Sequence, residues 1–147
     1  MTPRMQYSKV GLALTERFEG CRLAAYRDVV GIPTIGYGHT HGVRMGMICT
    51  QQQAEAWLAE DTLSAQDAVN DLVQVTLSQA EFDALVDFTF NLGASALAHS
   101  TLLRLLNAGD FAAAAAQFDL WDHAGGQVVA GLLRRRIAEQ QEFTQGG

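Results

Sequence analysis

The sequence predicts an α+β chain that is mostly helical, and three observations carry that prediction. Val10, Leu14 and Phe18 form an apolar stripe at helical spacing near the start. Gly31, Pro33, Gly36, Gly38 and Gly42 then break any helix, while Ile32, Thr34, Ile35 and Tyr37 between them suit strands. No proline occurs after Pro33, and helix-start signatures follow one another from Thr50 onward. With 147 residues, 48% of them hydrophobic and 18% charged, the chain is long and apolar enough to bury a core.

The elements follow in order. Ser8 is placed to cap a first helix, and Gly20 suits the position just past its end, because glycine adopts positive φ without penalty. Glu19 is therefore expected at the very end of a helix. A small glycine-rich hairpin or meander follows from about residue 21 to 43. Thr50 with Gln53, and Ser78 with Glu81, have the spacing of capping boxes. A long helical stretch is expected between them, with one break near 70–76. The run Phe82, Leu85, Val86, Phe88, Thr89, Phe90 predicts a helix central to the core. Further helices are expected over 101–108, over 111–121 with Asp110 as cap, and over 128–143, with a Gly125–Gly126 loop before the last. The glycine pair at 146–147 reads as a frayed tail. There is no internal repeat.

The net charge of -6 argues against nucleic-acid binding, which needs Lys and Arg against phosphates. No Lys or Arg lies between Arg44 and Arg104, while Glu55, Glu60, Asp61, Asp67, Asp71, Glu81, Asp83 and Asp87 do. If the basic ends meet in the fold, they face an acidic middle. Cys21 and Cys49 match no zinc spacing, and two reduced thiols are the default reading; a disulfide is the alternative in an oxidising space. Arg4, Lys9, Glu16 and Arg17 interrupt the apolar run a signal peptide needs, so the expected location is the cytoplasm until something else releases the protein. No window is apolar enough to span a membrane.

The chemistry-bearing residues cluster early. Glu19 ends a helix; Asp28 lies nine residues on, and Thr34 six beyond that. A hairpin that folds back sets a helix-end acid opposite a hairpin acid. Glycosidic cleavage needs one group to protonate the leaving oxygen and another to act on water or as nucleophile. The negative end of the helix dipole gives Glu19 a reason to keep its proton and serve as the acid. His39 and His41 alternate and suggest a metal pair, but no third ligand stands at a suitable spacing, so no metal is expected. Neither a phosphate-binding loop nor a nucleophile elbow is present, and no cofactor is expected.

The stretches Glu19-Gly-Cys-Arg-Leu-Ala-Ala-Tyr-Arg-Asp28 and Thr34-Ile-Gly-Tyr-Gly-His-Thr40 resemble the signature of the phage T4-type lysozymes (endolysins), glycoside hydrolase family 24. The resemblance continues through Phe88-Thr-Phe-Asn-Leu-Gly93, the run from Ser100 to Asp110, and Gly131-Leu-Leu-Arg-Arg-Arg-Ile-Ala-Glu139. It implies one lysozyme domain over 1–147 with two lobes. The N-terminal lobe, about 8–50, holds the small sheet; a long connecting helix and a helical C-terminal lobe fill about 51–147. It implies an endolysin that hydrolyses the β-1,4 bond between N-acetylmuramic acid and N-acetylglucosamine and lyses bacteria. Glu19 would be the general acid, Asp28 would position or activate the attacking water, and Thr34 would hold that water. Inversion goes with a carboxyl separation of ~6.5–9.5 Å. The implied partner is the glycan strand of peptidoglycan, met by a monomer that binds no nucleic acid and inserts in no membrane. Members that attack the anionic wall are often basic, whereas this chain is acidic.

Four residues are candidates for substrate binding: Tyr37, His39, Phe90 and Asn91. His39 has a structural alternative, tying the hairpin to the long helix through an acid. Tyr26 and Phe90 read first as core, with Phe90 also a candidate for the cleft wall. Asn91 needs a partner within an apolar stretch, a sugar or a helix end. Arg134, Arg135 and Arg136 point about 100° apart on a helix, so they cannot all face one partner. One is expected to pair with Glu19 or line the cleft. Two rivals to catalysis are a glycan-binding module and a membrane-disrupting C-terminal helix. The intact Glu19, Asp28 and Thr34 disfavour the first; charges on several sides of 128–143 disfavour the second.

Overall fold

The computed structural model describes residues 3–124 and 126–145. The chain divides into two compact units, Leu12–Leu63 and Met1–Gly11 with Ser64–Gly147. Gly125 and the glycine pair at 146–147, read above as loop and tail, lie outside the described residues.

Helix α1 (Lys9–Glu19) starts at Ser8, whose Oγ accepts from Gly11 N at 3.2 Å. It stops where Gly20 takes φ +69°, with Gly20 N donating to Glu16 O at 3.1 Å. That conformation strains any residue with a Cβ. Strands β1 (Arg22–Arg27) and β2 (Pro33–Gly36) then form an antiparallel pair, with Tyr26 opposite Thr34 and an irregularity between Arg22 and Tyr26. A third segment lies along β1: Ala25 N donates to Met47 O at 2.9 Å and Cys49 N to Leu23 O at 2.8 Å. Tyr37, expected in a strand, falls in the turn that follows β2. Helix α2 (Gln51–Asp61) opens with both halves of the Thr50–Gln53 capping box.

The long helical stretch is broken twice, not once. Besides the expected exit after α3 (Leu63–Leu72), it is interrupted at Thr62. The Thr62 hydroxyl donates back to Ala59 O at 2.9 Å, a local bond of the kind that bends helices and that no periodicity reveals.

The helical unit is built around α4 (Gln79–Leu92), buried continuously from Glu81 to Thr89. Its start is fixed reciprocally: Glu81 N donates to Ser78 Oγ at 3.1 Å, and Ser78 N donates to Glu81 Oε1 at 2.7 Å. Phe82, Leu85, Val86 and Phe88 join Leu97, Leu102, Leu106, Phe118 and Phe143 in one core. Each such side chain contributes about 1.5–3 kcal/mol on burial. Phe88 meets Phe118 edge-on at 5.6 Å and Trp121 at 5.4 Å. Short helices α5 (Ala94–Ala98), α6 (Thr101–Asn107, capped by Ser100) and α7 (Phe111–Gln117, capped by Asp110) surround it.

Two boundaries differ from expectation. Helix α7 ends at Gln117, and the chain tightens into a 3₁₀ turn over Phe118–Leu120, which buries Phe118. Val128 belongs to a small hairpin of β3 (His123–Ala124) and β4 (Gln127–Val128), so the last helix, α8, spans Ala130–Gln145. The N-terminal cation Arg4 bonds two acids of the middle stretch, Asp67 at 2.9 Å and Asp71 at 2.8 Å. Beside it Met5 exchanges two hydrogen bonds with the side chain of Asn70. No helix among the described residues is long and apolar enough to cross a membrane.

Candidate active site

Glu19, Asp28 and Thr34 all lie in the Leu12–Leu63 unit, on three successive pieces of backbone: the end of α1, the tip of the hairpin and the second residue of β2. Glu19 is half-buried. Its carboxyl group lies beside the backbone of Gly38, where a Cβ would stand 3.3 Å from Oε1. Gly38 also has φ +82°. The turn after β2 therefore favours glycine there by its conformation, and a Cβ would in addition press on the acid.

Asp28 organises its own turn. Its Oδ1 accepts from Val30 N and Ile32 N, both at 2.9 Å, while Asp28 N donates to Ile32 O at 3.0 Å. Both side-chain bonds use one oxygen, so the carboxylate is fixed in direction and Oδ2 has no bond of its own among the described residues. Thr34 is buried and donates its hydroxyl hydrogen to Ile32 O at 2.8 Å. Its oxygen is then left with acceptor lone pairs, the polarity needed to receive a hydrogen from water.

Around these three the unit is tightly engaged. His39 is buried, its Nδ1 lies 2.8 Å from Asp61 Oδ2, and its ring stacks flat on Trp57 at 4.6 Å. His39 thus ties the turn after β2 to α2, the structural alternative weighed for it. His41 is exposed, and no group of three metal-ligating side chains occurs among the described residues. Tyr37 is buried and its hydroxyl accepts from Gln51 Nε2 at 2.8 Å; burial pushes that hydroxyl above its ordinary range. Glu16 is pushed up too, by burial and then by Glu55. Cys21 and Cys49 are free thiols, Cys49 buried and raised by that burial and then by Cys21. Tyr26, read as core, is only half-buried, and the guanidinium of Arg22 stands 4.3 Å over its ring.

Phe90 and Asn91 lie on α4, in the helical unit. Phe90 packs against the core, and Asn91 Oδ1 accepts from Arg136 Nη2 at 2.7 Å. The three arginines of α8 part company, as their angular spacing required. Arg134 is exposed. Arg135 is buried and grips the fully buried Asp87 with two bonds, Nε to Oδ2 at 2.9 Å and Nη2 to Oδ1 at 2.8 Å. Arg136 is buried against Glu139, with Nη2 donating to Oε2 at 3.0 Å. Burial first, and Asp87 second, hold the Glu139 carboxyl well above the ordinary range, against the pull of Arg136 and Arg135.

Sequence reasoning missed Gly38, Trp57 and Gln51 as supports of this unit. Only the Gly-x-Gly spacing around Tyr37 hinted at the first; nothing in the one-dimensional pattern marks the other two.

The chain is 43% identical over 143 residues to the endolysin of Acyrthosiphon pisum secondary endosymbiont phage 1, covering 95% of this chain and 98% of that one. It is also 43% identical over 145 residues to the longer endolysin of Bacillus phage PZA, of which it spans 56%. Among solved structures, the muramidase domain of SpmX from Asticaccaulis excentricus superposes with a TM-score of 0.89 at 42% identity, covering 95% of this chain and 98% of that domain. The phage lysozyme family matches residues 16–139, a span that takes in both carboxylates, Thr34 and the arginines of α8. A match of that extent, carried by both sequence and fold, makes the chain a member of the phage lysozyme family, a glycoside hydrolase of the lysozyme type acting on peptidoglycan.

Proposed function

We propose that the enzyme is of the T4 type, glycoside hydrolase family 24, and cuts the β-1,4 bond from N-acetylmuramic acid to N-acetylglucosamine with inversion at the anomeric carbon. Glu19 donates its proton to the glycosidic oxygen as the C1–O bond breaks. A water held by Asp28 Oδ2 and Thr34 Oγ1 attacks C1 from the opposite face, and Asp28 takes the proton that this water loses. The observation that carries the assignment is the set of three hydrogen bonds at the hairpin. Asp28 offers one oxygen free of its turn, and Thr34 has spent its hydrogen on Ile32 O. Both groups are thus prepared to accept from a water. Inversion, not a covalent intermediate, suits a base that works through water.

The test is clearing of permeabilised bacterial cells by the wild type and Glu19→Gln. The variant should lose at least ~10³-fold, the loss typical of an essential catalytic group. The anomer first formed should be α, read by proton NMR before mutarotation. A β product, or a Glu19→Gln enzyme as active as the parent, overturns the mechanism.

A further inference from the structure

In the sheet that carries Thr34, one cation is held in place by an aromatic ring and has no acid as its partner among the described residues. The guanidinium of Arg22 stands 4.3 Å over the ring of Tyr26, which places both side chains on one face of β1. Tyr26 is the cross-strand partner of Thr34. Directly opposed residues of an antiparallel pair point to the same side, with Cβ atoms about 5 Å apart. Arg22, Tyr26 and Thr34 therefore form a row on one face, with the ring in the middle. Arg22 is exposed and forms no ion pair among the described residues. Three of the other arginines are engaged elsewhere: Arg4 by Asp67 and Asp71, Arg135 by Asp87, and Arg27 by the backbone oxygen of Gly31.

A guanidinium stacked on a ring has lost much of its rotamer freedom in advance, and its planar fork matches a carboxylate. The chain as a whole is acidic, at -6, yet its substrate is an anionic polymer. An unpaired cation beside the reacting residues offsets that repulsion where it counts. Peptidoglycan presents carboxylates on its muramyl units, either on the peptide stem or as the lactyl group where the stem has been removed.

We propose that Arg22, braced by Tyr26, binds a carboxylate of the muramyl substituent and so positions the strand over Thr34. This rests on the reading of Glu19, Asp28 and Thr34 given above. Arg22 is a binding and positioning residue and takes no part in the proton transfers.

The experiment measures reducing-end release from three substrates: stem-bearing glycan strands, strands stripped of stems by an amidase, and stem-bearing strands whose carboxyls have been converted to methylamides. Arg22→Gln should raise KM about 5–20-fold on a carboxylate-bearing substrate, the worth of one charge-assisted contact, and leave kcat within about twofold. Arg22→Lys should restore part of the loss, and Tyr26→Leu should show a smaller rise of the same kind. On the methylamide strands the wild type and Arg22→Gln should have the same KM. A loss confined to stem-bearing strands assigns the contact to the stem; one confined to stripped strands assigns it to the lactyl carboxylate, and one on both shows that Arg22 takes either carboxylate. Arg104→Gln, a change of equal charge on α6, is the control.

A KM rise of equal size on the methylamide strands overturns the proposal. So does a fall in kcat at unchanged KM, or an Arg104→Gln enzyme that behaves as Arg22→Gln does. Failure of the underlying catalytic reading looks different: Glu19→Gln would then keep its activity on all three substrates.

Discussion

Replacing Arg135 by methionine tests whether the ion pair between α8 and α4 organises the helical unit. Arg135 meets Asp87 through two bonds of 2.9 and 2.8 Å, and Asp87 is fully buried. Methionine fills a similar volume but leaves that carboxylate inside the protein without its fork. Removing one partner of a buried pair costs about 3–5 kcal/mol, because the other charge stays desolvated. A chain of 147 residues has an unfolding entropy near 0.3 kcal/mol per kelvin, so the expected drop in Tm is about 10–16 °C. Circular dichroism at 222 nm gives the transition directly. The double variant Arg135→Met/Asp87→Leu removes both charges and should regain at least half of the loss, since a packed apolar pair often replaces an ion pair at little cost. A single variant within about 3 °C of the wild type, or a double variant no better than the single, would refute the argument.

Three further outcomes follow from the same geometry. Glu139 is held above its ordinary range by burial and by Asp87. Its folded value exceeds the unfolded one, so its contribution is complete below about pH 4.3 and is lost as pH rises through the folded value. Glu139→Gln cannot ionise, so its urea midpoint should fall less than that of the wild type between pH 4.5 and 8; parallel curves would contradict this. Gly38→Ala places a Cβ 3.3 Å from Glu19 Oε1 at φ +82°. It should cost about 1–2 kcal/mol of stability but lower kcat roughly 10–100-fold, and an unchanged kcat would show that Gly38 does not set the acid's position. Cys21 is half-buried, whereas Cys49 is buried with its thiol pushed up. An aromatic disulfide reagent should therefore label one thiol in the native protein and the second only on unfolding; two equal rates would contradict that difference.

The sequence by itself determined most of the local structure and the reaction class. Ser8, Gly20, Thr50 with Gln53, and Ser78 with Glu81 set their helix ends through bonds spanning three or four residues, and such short-range chemistry is visible in one dimension. Glu19, Asp28 and Thr34 sit within one stretch of sixteen residues, so their resemblance to the family's motif was legible before any fold was known. What tertiary structure decided is who meets whom at long range. The break at Thr62 depends on a hydroxyl turning back to Ala59, and the stop at Gln117 goes with the burial of Phe118 in the core. Three adjacent arginines look alike in the sequence. Only the packing of α8 on α4 leaves Arg134 in solvent, gives Arg135 to Asp87 and turns Arg136 toward Asn91 and Glu139. Likewise, two arginines five residues apart bracket β1, but only the irregular register of the strand lays Arg22 on Tyr26 while Arg27 closes the turn at Gly31. Pairings of this kind depend on the direction in which a side chain leaves its element, and that direction is fixed by contacts between segments distant in the chain.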